Sequence, residues 1–216
     1  MDADFWHSRW QEGRIGFHQA DVNSFLLNHW KTLKLPARST VFVPLCGKSK
    51  DMLWLASLGH RVIGIELSEI AAQQFFTEQG VQPNVVKGDS FTSYSANNVT
   101  ILCGDFFDLE INLKGVAAVF DRAALIALPK EMRQRYVEHL RKLLPKGCQL
   151  LLVSMEYDEK ALSGPPFSVP WAEISTLFDH QGELKILSEQ QGDARGTPCL
   201  ERLYHLSYTA QTESKE

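Results

Sequence analysis

The sequence predicts an α/β fold, an open and mostly parallel sheet with helices on both faces. Three observations predict it. Short apolar runs alternate with helical stretches between residues 40 and 155. Glycine or proline stands at the end of nearly every helical stretch. Two strand patterns close the chain, joined by a polar stretch containing glycine, as in an antiparallel hairpin. With 216 residues, 44% hydrophobic and 22% charged, the chain has enough apolar material for one substantial core, and a wholly disordered chain is excluded.

Residues 2–33 read as helical and amphipathic. Phe5, Trp6 and Trp10 recur at near-helical spacing, and Gly13 and Gly16 interrupt. Asp21 is the expected N-cap of a second helix, on which Phe25, Leu26, His29, Trp30 and Leu33 follow a 3.6-residue period up to Pro36. Residues 40–44 form a buried-strand pattern. A helix follows over 49–58, stopped by Gly59. Residues 61–65 are the second strand, and Ser68 caps a helix that ends at Gly80. Runs at 99–103 and 116–120 are further strands. Residues 130–143 are a strongly charged helix closed by Pro145 and Gly147, and 149–155 a strand. Three prolines and a glycine make 162–171 a stiff loop. A short helix is expected over 172–179, then strands over 183–190 and 200–208 and a loose polar tail from Thr209. No repeat or long linker divides the chain. It reads as one domain over 1–216, with a helical cover at 1–35 and an α/β core at 39–208.

The formal net charge is −4, against the basic footprint of general nucleic-acid binding. Cys46, Cys103, Cys148 and Cys199 form no C-x-x-C pair and read as reduced thiols of a cytoplasmic protein. Seven scattered histidines without H-E-x-x-H give no metal motif. The acidic start, Met1-Asp2-Ala3-Asp4, lacks the apolar run of a secretory signal, and no stretch of about 18 apolar residues would span a membrane. No heptad or long amphipathic surface helix calls for a dimer, so a monomer is expected.

Ligands of open parallel sheets bind beyond the carboxyl ends of the strands. Leu45-Cys46-Gly47-Lys48 follows the first strand, Glu66 the second, Gly104-Asp105-Phe106-Phe107 the third and Asp121-Arg122 the fourth. Glu66 lies about 20 residues beyond the first turn, where an acidic side chain accepts hydrogen bonds from ribose hydroxyls. The alternative is a surface Glu capping the next helix. The first turn has one glycine, Gly47, and no G-x-G-x-x-G or Walker sequence, which counts against a dinucleotide and leaves S-adenosylmethionine, a nucleoside without phosphate. Asp105 suits an adenine amino group with Phe106 against the base. Alternatively Asp105 caps a turn and Phe106 is core. Arg122, directly after a buried strand, needs a partner: Asp121, Glu66, or a ligand anion. Gly164-Pro165-Pro166-Phe167 departs from the [DNS]-P-P-[YF] motif of amino-group methyltransferases. It begins with Gly and follows the fifth strand, not the fourth, so base methylation is disfavoured.

The chain resembles the thiopurine S-methyltransferase family, its bacterial branch in particular. The landmarks are residues 5–19 (FWHSRWQEGRIGFHQ), 43–69 (VPLCGKSKDMLWLASLGHRVIGIELSE), 104–109 (GDFFDL), 119–128 (VFDRAALIAL), 164–170 (GPPFSVP) and 199–206 (CLERLYHL). The resemblance implies a class I, Rossmann-like methyltransferase fold with seven strands, the last antiparallel. It implies S-adenosylmethionine as methyl donor and a small thiol as substrate. Cofactor contacts carry over to Trp10, Leu45, Gly47, Glu66, Asp105, Phe106 and Arg122. A sulfur nucleophile needs no dedicated general base, so Arg122 is expected as an electrostatic aid. Trp6, Phe17 and His18 are candidates for the cover's inner face, with core packing as the alternative for Trp6 and Phe17. Phe167 is a candidate stacking surface. Methylation of other soft nucleophiles, or a non-catalytic cofactor-binding module, are the competing readings.

Overall fold

Apolar alternation and capping chemistry account for the elements in the computed structural model, which describes residues 3–111, 113 and 115–209. The chain packs as two compact units, Met1–Glu110 and Ile111–Glu216.

The first unit begins with α1 (Ala3–Gln11) and α2 (Ser24–His29), the latter running into a 3-10 turn at Trp30–Leu33. The cap of α2 is Asn23, not Asp21. The Asn23 Oδ1 accepts from Phe25 N at 3.0 Å and Leu26 N at 3.3 Å. The position immediately before the first helical residue is the one from which a short side chain reaches those amides. Then come β1 (Thr40–Val43), α3 (Lys50–Ser57), β2 (Arg61–Glu66) and α4 (Glu69–Thr77). Ser49 caps α3 and Ser68 caps α4. A hairpin of β3 (Asn84–Lys87) and β4 (Thr92–Ala96) precedes β5 (Val99–Cys103). The strand order in this unit is β3-β4-β5-β2-β1. β1, β2 and β5 are parallel, and the added hairpin is antiparallel. Val41, Phe42, Ile65, Phe75 and Ile101 are buried in the core.

The hairpin lies outside the sequence expectation. All four residues of β3 are exposed, and β4 (TSYSA) has Tyr94 as its one buried residue, so neither shows a continuous apolar run.

The second unit holds β6 (Val116–Asp121), a one-turn α5 (Ala124–Ala127), α6 (Lys130–Leu143), β7 (Gln149–Glu156), α7 (Trp171–Leu177), β8 (Gly182–Ala194) and β9 (Thr197–Tyr208). Its strand order is β6-β7-β9-β8. β6 and β7 are parallel, and β9 runs antiparallel to both neighbours. The closing hairpin is therefore present, and longer than its apolar pattern indicated. Arg133 fastens α6 to the segment around α7. Its Nε donates to the Leu128 carbonyl at 2.9 Å and its NH1 to both Glu173 carboxylate oxygens at 2.8 and 2.9 Å. Thr209 is tied down through its amide to the Gln181 carbonyl at 3.0 Å. The remainder of the expected loose tail lies outside the described residues.

Candidate cofactor site

The turn after β1 is built on an unusual backbone. Leu45 has φ +45° and Gly47 φ +52°, two left-handed residues within three positions. A leucine held there costs roughly 1–3 kcal/mol, and such strain persists where the surroundings enforce it. Two contacts enforce it here. The Cys46 amide donates to the Ile65 carbonyl at 2.9 Å. The Gly47 amide donates to Glu66 Oε2 at 2.8 Å.

Glu66 is thus the hub of the first unit's site. Its other oxygen accepts from the Ser68 amide at 2.8 Å. It is 7% exposed, so the surface-cap alternative is set aside: Glu66 joins the turn after β1 to the turn after β2. Burial pushes its carboxyl above the usual range, and the amides of Ser68, Gly47 and Leu67 pull it back. A carboxylate offers about four lone-pair positions, so acceptor capacity remains on it for an external donor. A hydroxyl fits that donor demand. A pyrophosphate does not: the Gly47 amide is already committed, and a carboxylate stands where phosphate would come. The site's chemistry therefore suits a nucleoside without phosphate, with a carboxylate favouring positive charge on it.

Trp10 is buried and lies over the turn. A Cβ added to Gly47 would meet the Trp10 ring at 3.4 Å, in a backbone conformation that already favours glycine. The Trp10 and Trp6 rings each meet the Phe17 ring edge-on, with centroids 5.6 and 5.5 Å apart. Trp6 and Phe17 thus pack against each other and Trp10, with Trp6 half-buried and Phe17 37% exposed. His18 is held through its amide to the Ile15 carbonyl at 2.8 Å.

After β5, Asp105 Oδ1 accepts from the Phe107 amide at 2.8 Å and caps a 3-10 turn, Phe106–Asp108. Asp105 is exposed and Phe106 buried, edge-on to Phe107. This is the capping arrangement. The turn amide takes up Oδ1, and the exposed carboxylate retains further acceptor positions. Gly104 is required by close approach: a Cβ there would stand 2.4 Å from the Phe91 ring.

Trp10, Leu45, Gly47, Glu66, Asp105 and Phe106 all fall in the first unit. Arg122 belongs to the second, one residue past β6. Asp121 there has three donors of its own: the amides of Ala124 and Leu125 and the Tyr136 hydroxyl. In the Gly164–Phe167 loop, the Phe167 amide donates to the Ile126 carbonyl at 2.7 Å and Tyr157 donates to the Pro166 carbonyl at 2.5 Å. The Arg133 guanidinium stands 5.6 Å from the Phe167 ring centroid, so one ring face of the stacking candidate has a protein neighbour.

Sequence reasoning missed Gly64. A Cβ there would lie 2.6 Å from Cys46 Sγ and 3.0 Å from Met52 Sδ, so Gly64 makes the room in which the turn sits. Glycine inside an apolar strand is the signal that could have found it.

This arrangement of sheet, turn and acidic strand end is that of the class I S-adenosylmethionine-dependent methyltransferases, and solved structures agree. A methyltransferase from Methanosarcina mazei aligns with TM-score 0.65 at 15% identity, covering 88% of this chain and 100% of that one. Magnesium protoporphyrin IX methyltransferase from Synechocystis, solved with bound S-adenosylhomocysteine, aligns with TM-score 0.62 at 17% identity, over 95% and 100%. Those likenesses establish the fold. Residues 1–202 match the family description thiopurine S-methyltransferase. The chain is 48% identical over 191 residues to the thiopurine S-methyltransferase of Pseudomonas fluorescens, covering 88% of each. It is 46% identical over 208 residues to that of Pseudomonas syringae pv. pisi, covering 94% of this chain and 95% of the relative. The chain belongs to the thiopurine S-methyltransferase family, and it is an enzyme of the transferase class.

Proposed function

We propose that the protein transfers the methyl group of S-adenosylmethionine to the sulfur of small aromatic and heterocyclic thiols. The observation that carries the cofactor is the buried Glu66, which closes the turn after β1 and keeps acceptor positions for ribose hydroxyls. Family membership carries the thiol. When bound, the cofactor supplies an electrophilic methyl carbon on a sulfonium sulfur.

The chain's own part is binding, orientation and exclusion of water. Glu66 orients the ribose, and Leu45 and Gly47 present backbone to the cofactor. Trp10 covers the turn, and the acceptor positions left on the exposed Asp105 take the adenine amino group, next to the buried Phe106. Arg122 stabilises negative charge, on the cofactor carboxylate or on the thiol heterocycle. None of the four cysteines relays the methyl group. Burial raises all of their thiols, Cys103 to about 11 and Cys148 to about 12, which disfavours the thiolate that a relay would need. Transfer in this reading is direct, from the cofactor to the substrate sulfur.

Both units form one methyltransferase domain over 1–216 in this reading, acting as a cytoplasmic monomer without nucleic-acid partners. Among the described residues no helix is long and apolar enough to cross a membrane. Substrate class is tested with S-adenosylmethionine against thiopurines, thiophenols, selenite and tellurite. The reading expects the thiols to be turned over with the highest kcat/KM. A preference for selenite or tellurite by tenfold or more would replace it with a metalloid methyltransferase. Binding of S-adenosylhomocysteine by calorimetry checks the cofactor separately.

A further inference from the structure

Asp121 ends β6 and is 1% exposed. Its Oδ1 accepts from the amides of Ala124 at 3.0 Å and Leu125 at 3.3 Å, which opens α5 from three residues before it. Its Oδ2 accepts from the Tyr136 hydroxyl of α6 at 2.7 Å. Arg122 and Ala123 lie inside the loop that these bonds close. The far end of α5 is tied in turn: the Ile126 carbonyl accepts the Phe167 amide at 2.7 Å. One carboxylate therefore fixes the backbone from which Arg122 extends and, one helical turn on, the attachment of the Gly164–Phe167 loop.

A neutral Asn or Ser can open a helix as well as Asp does. An ionised carboxylate at this depth is expensive, and local rules broken at a cost are expected at functional sites. Tyr136, itself fully buried, spends its hydroxyl on holding the second oxygen.

We propose that Asp121 and Tyr136 form a positioning pair, which fixes the β6–α5 turn so that Arg122 meets the reactants in one orientation. The inference rests on the proposed role of Arg122. Both side chains are buried and bonded to each other, so the test is a coupling. Tyr136→Phe and Asp121→Asn are each made in the wild type and in Arg122→Ala, and kcat and KM are measured for thiol and for S-adenosylmethionine. The expected result for each is a drop in kcat/KM of about five- to tenfold in the wild type, the size of one ordinary net hydrogen bond. In the Arg122→Ala background the same change should cost less than twofold, because the residue it positions is gone. An equal factor in both backgrounds overturns the inference and leaves Arg122's role standing. No effect of Arg122→Ala on any parameter overturns that role, and the inference with it. Loss of the native circular dichroism in both single variants also overturns it, since the pair would then serve folding alone.

Discussion

Glu66 accepts from two backbone amides with its two oxygens, which makes its amide isostere informative. In Glu66→Gln one oxygen becomes an NH2 donor and must face the amide of Gly47 or Ser68. Two donors opposed in a buried place cost about 1–3 kcal/mol. S-adenosylhomocysteine affinity measured by calorimetry is expected to fall at least tenfold. Gly64→Ala tests the same turn from below. Its Cβ would press on Cys46 Sγ at 2.6 Å, so a loss of about 1–3 kcal/mol is expected in chemical denaturation. Adding Cys46→Ala should recover part of that loss. At this scale the sequence was legible where chemistry follows position: Glu66, Gly47 and Leu45 stand at strand ends that any parallel sheet uses. It was opaque for Asp105, whose carboxylate serves a cap and an external donor with equal ease, and for Gly64, whose role depends on what lies above it.

Elements were legible where an apolar period or a cap marked them. The Ser68 cap and the 130–143 helix stand as expected, because their signals are local. The β3–β4 hairpin was not, because exposed strands carry no alternation. Nor was α5, whose cap sits on Asp121 and whose apolar run continues that of β6. Two buried groups give the elements opposite pH responses. Trp30 Nε1 donates to His60 Nε2 at 3.2 Å, joining the 3-10 turn after α2 to the start of β2. Burial lowers the His60 pKa, so the fold favours the neutral ring. That stability is present above the unfolded value near 6.5 and is lost as pH falls through it towards the folded value. Thermal unfolding of His60→Gln is expected to show a shallower decline than the wild type below about pH 6.5. Burial pushes Asp121 up to about 6, so the fold favours its protonated form. That contribution is present below the unfolded value near 3.9 and is lost as pH rises through about 6. Relative to the wild type, Asp121→Asn should therefore gain in Tm between pH 5 and pH 8. A variant that instead lost ground across that interval would show that Asp121 is not destabilised by ionisation.

For the whole molecule, the alternation of strands and helices was enough to give the fold class, and the ordered landmarks were enough to place the chain in its family. The arrangement of α1 over the β1 turn, with Trp10 against Gly47, sets the N-terminal segment against the turn proposed to hold the cofactor. Cleavage within residues 1–20 by a limiting protease is accordingly expected to slow when S-adenosylhomocysteine and a thiol are both present. An unchanged cleavage rate would separate the cover from the site. The central claim is direct methyl transfer to sulfur, and mass spectrometry of one reaction addresses it. The enzyme is mixed with S-adenosylmethionine carrying a trideuterated methyl group and with 6-mercaptopurine. The account predicts the S-trideuteromethyl product and S-adenosylhomocysteine in equal amounts. Label on a ring nitrogen, or S-adenosylhomocysteine binding without turnover of this or any aromatic thiol, would contradict it.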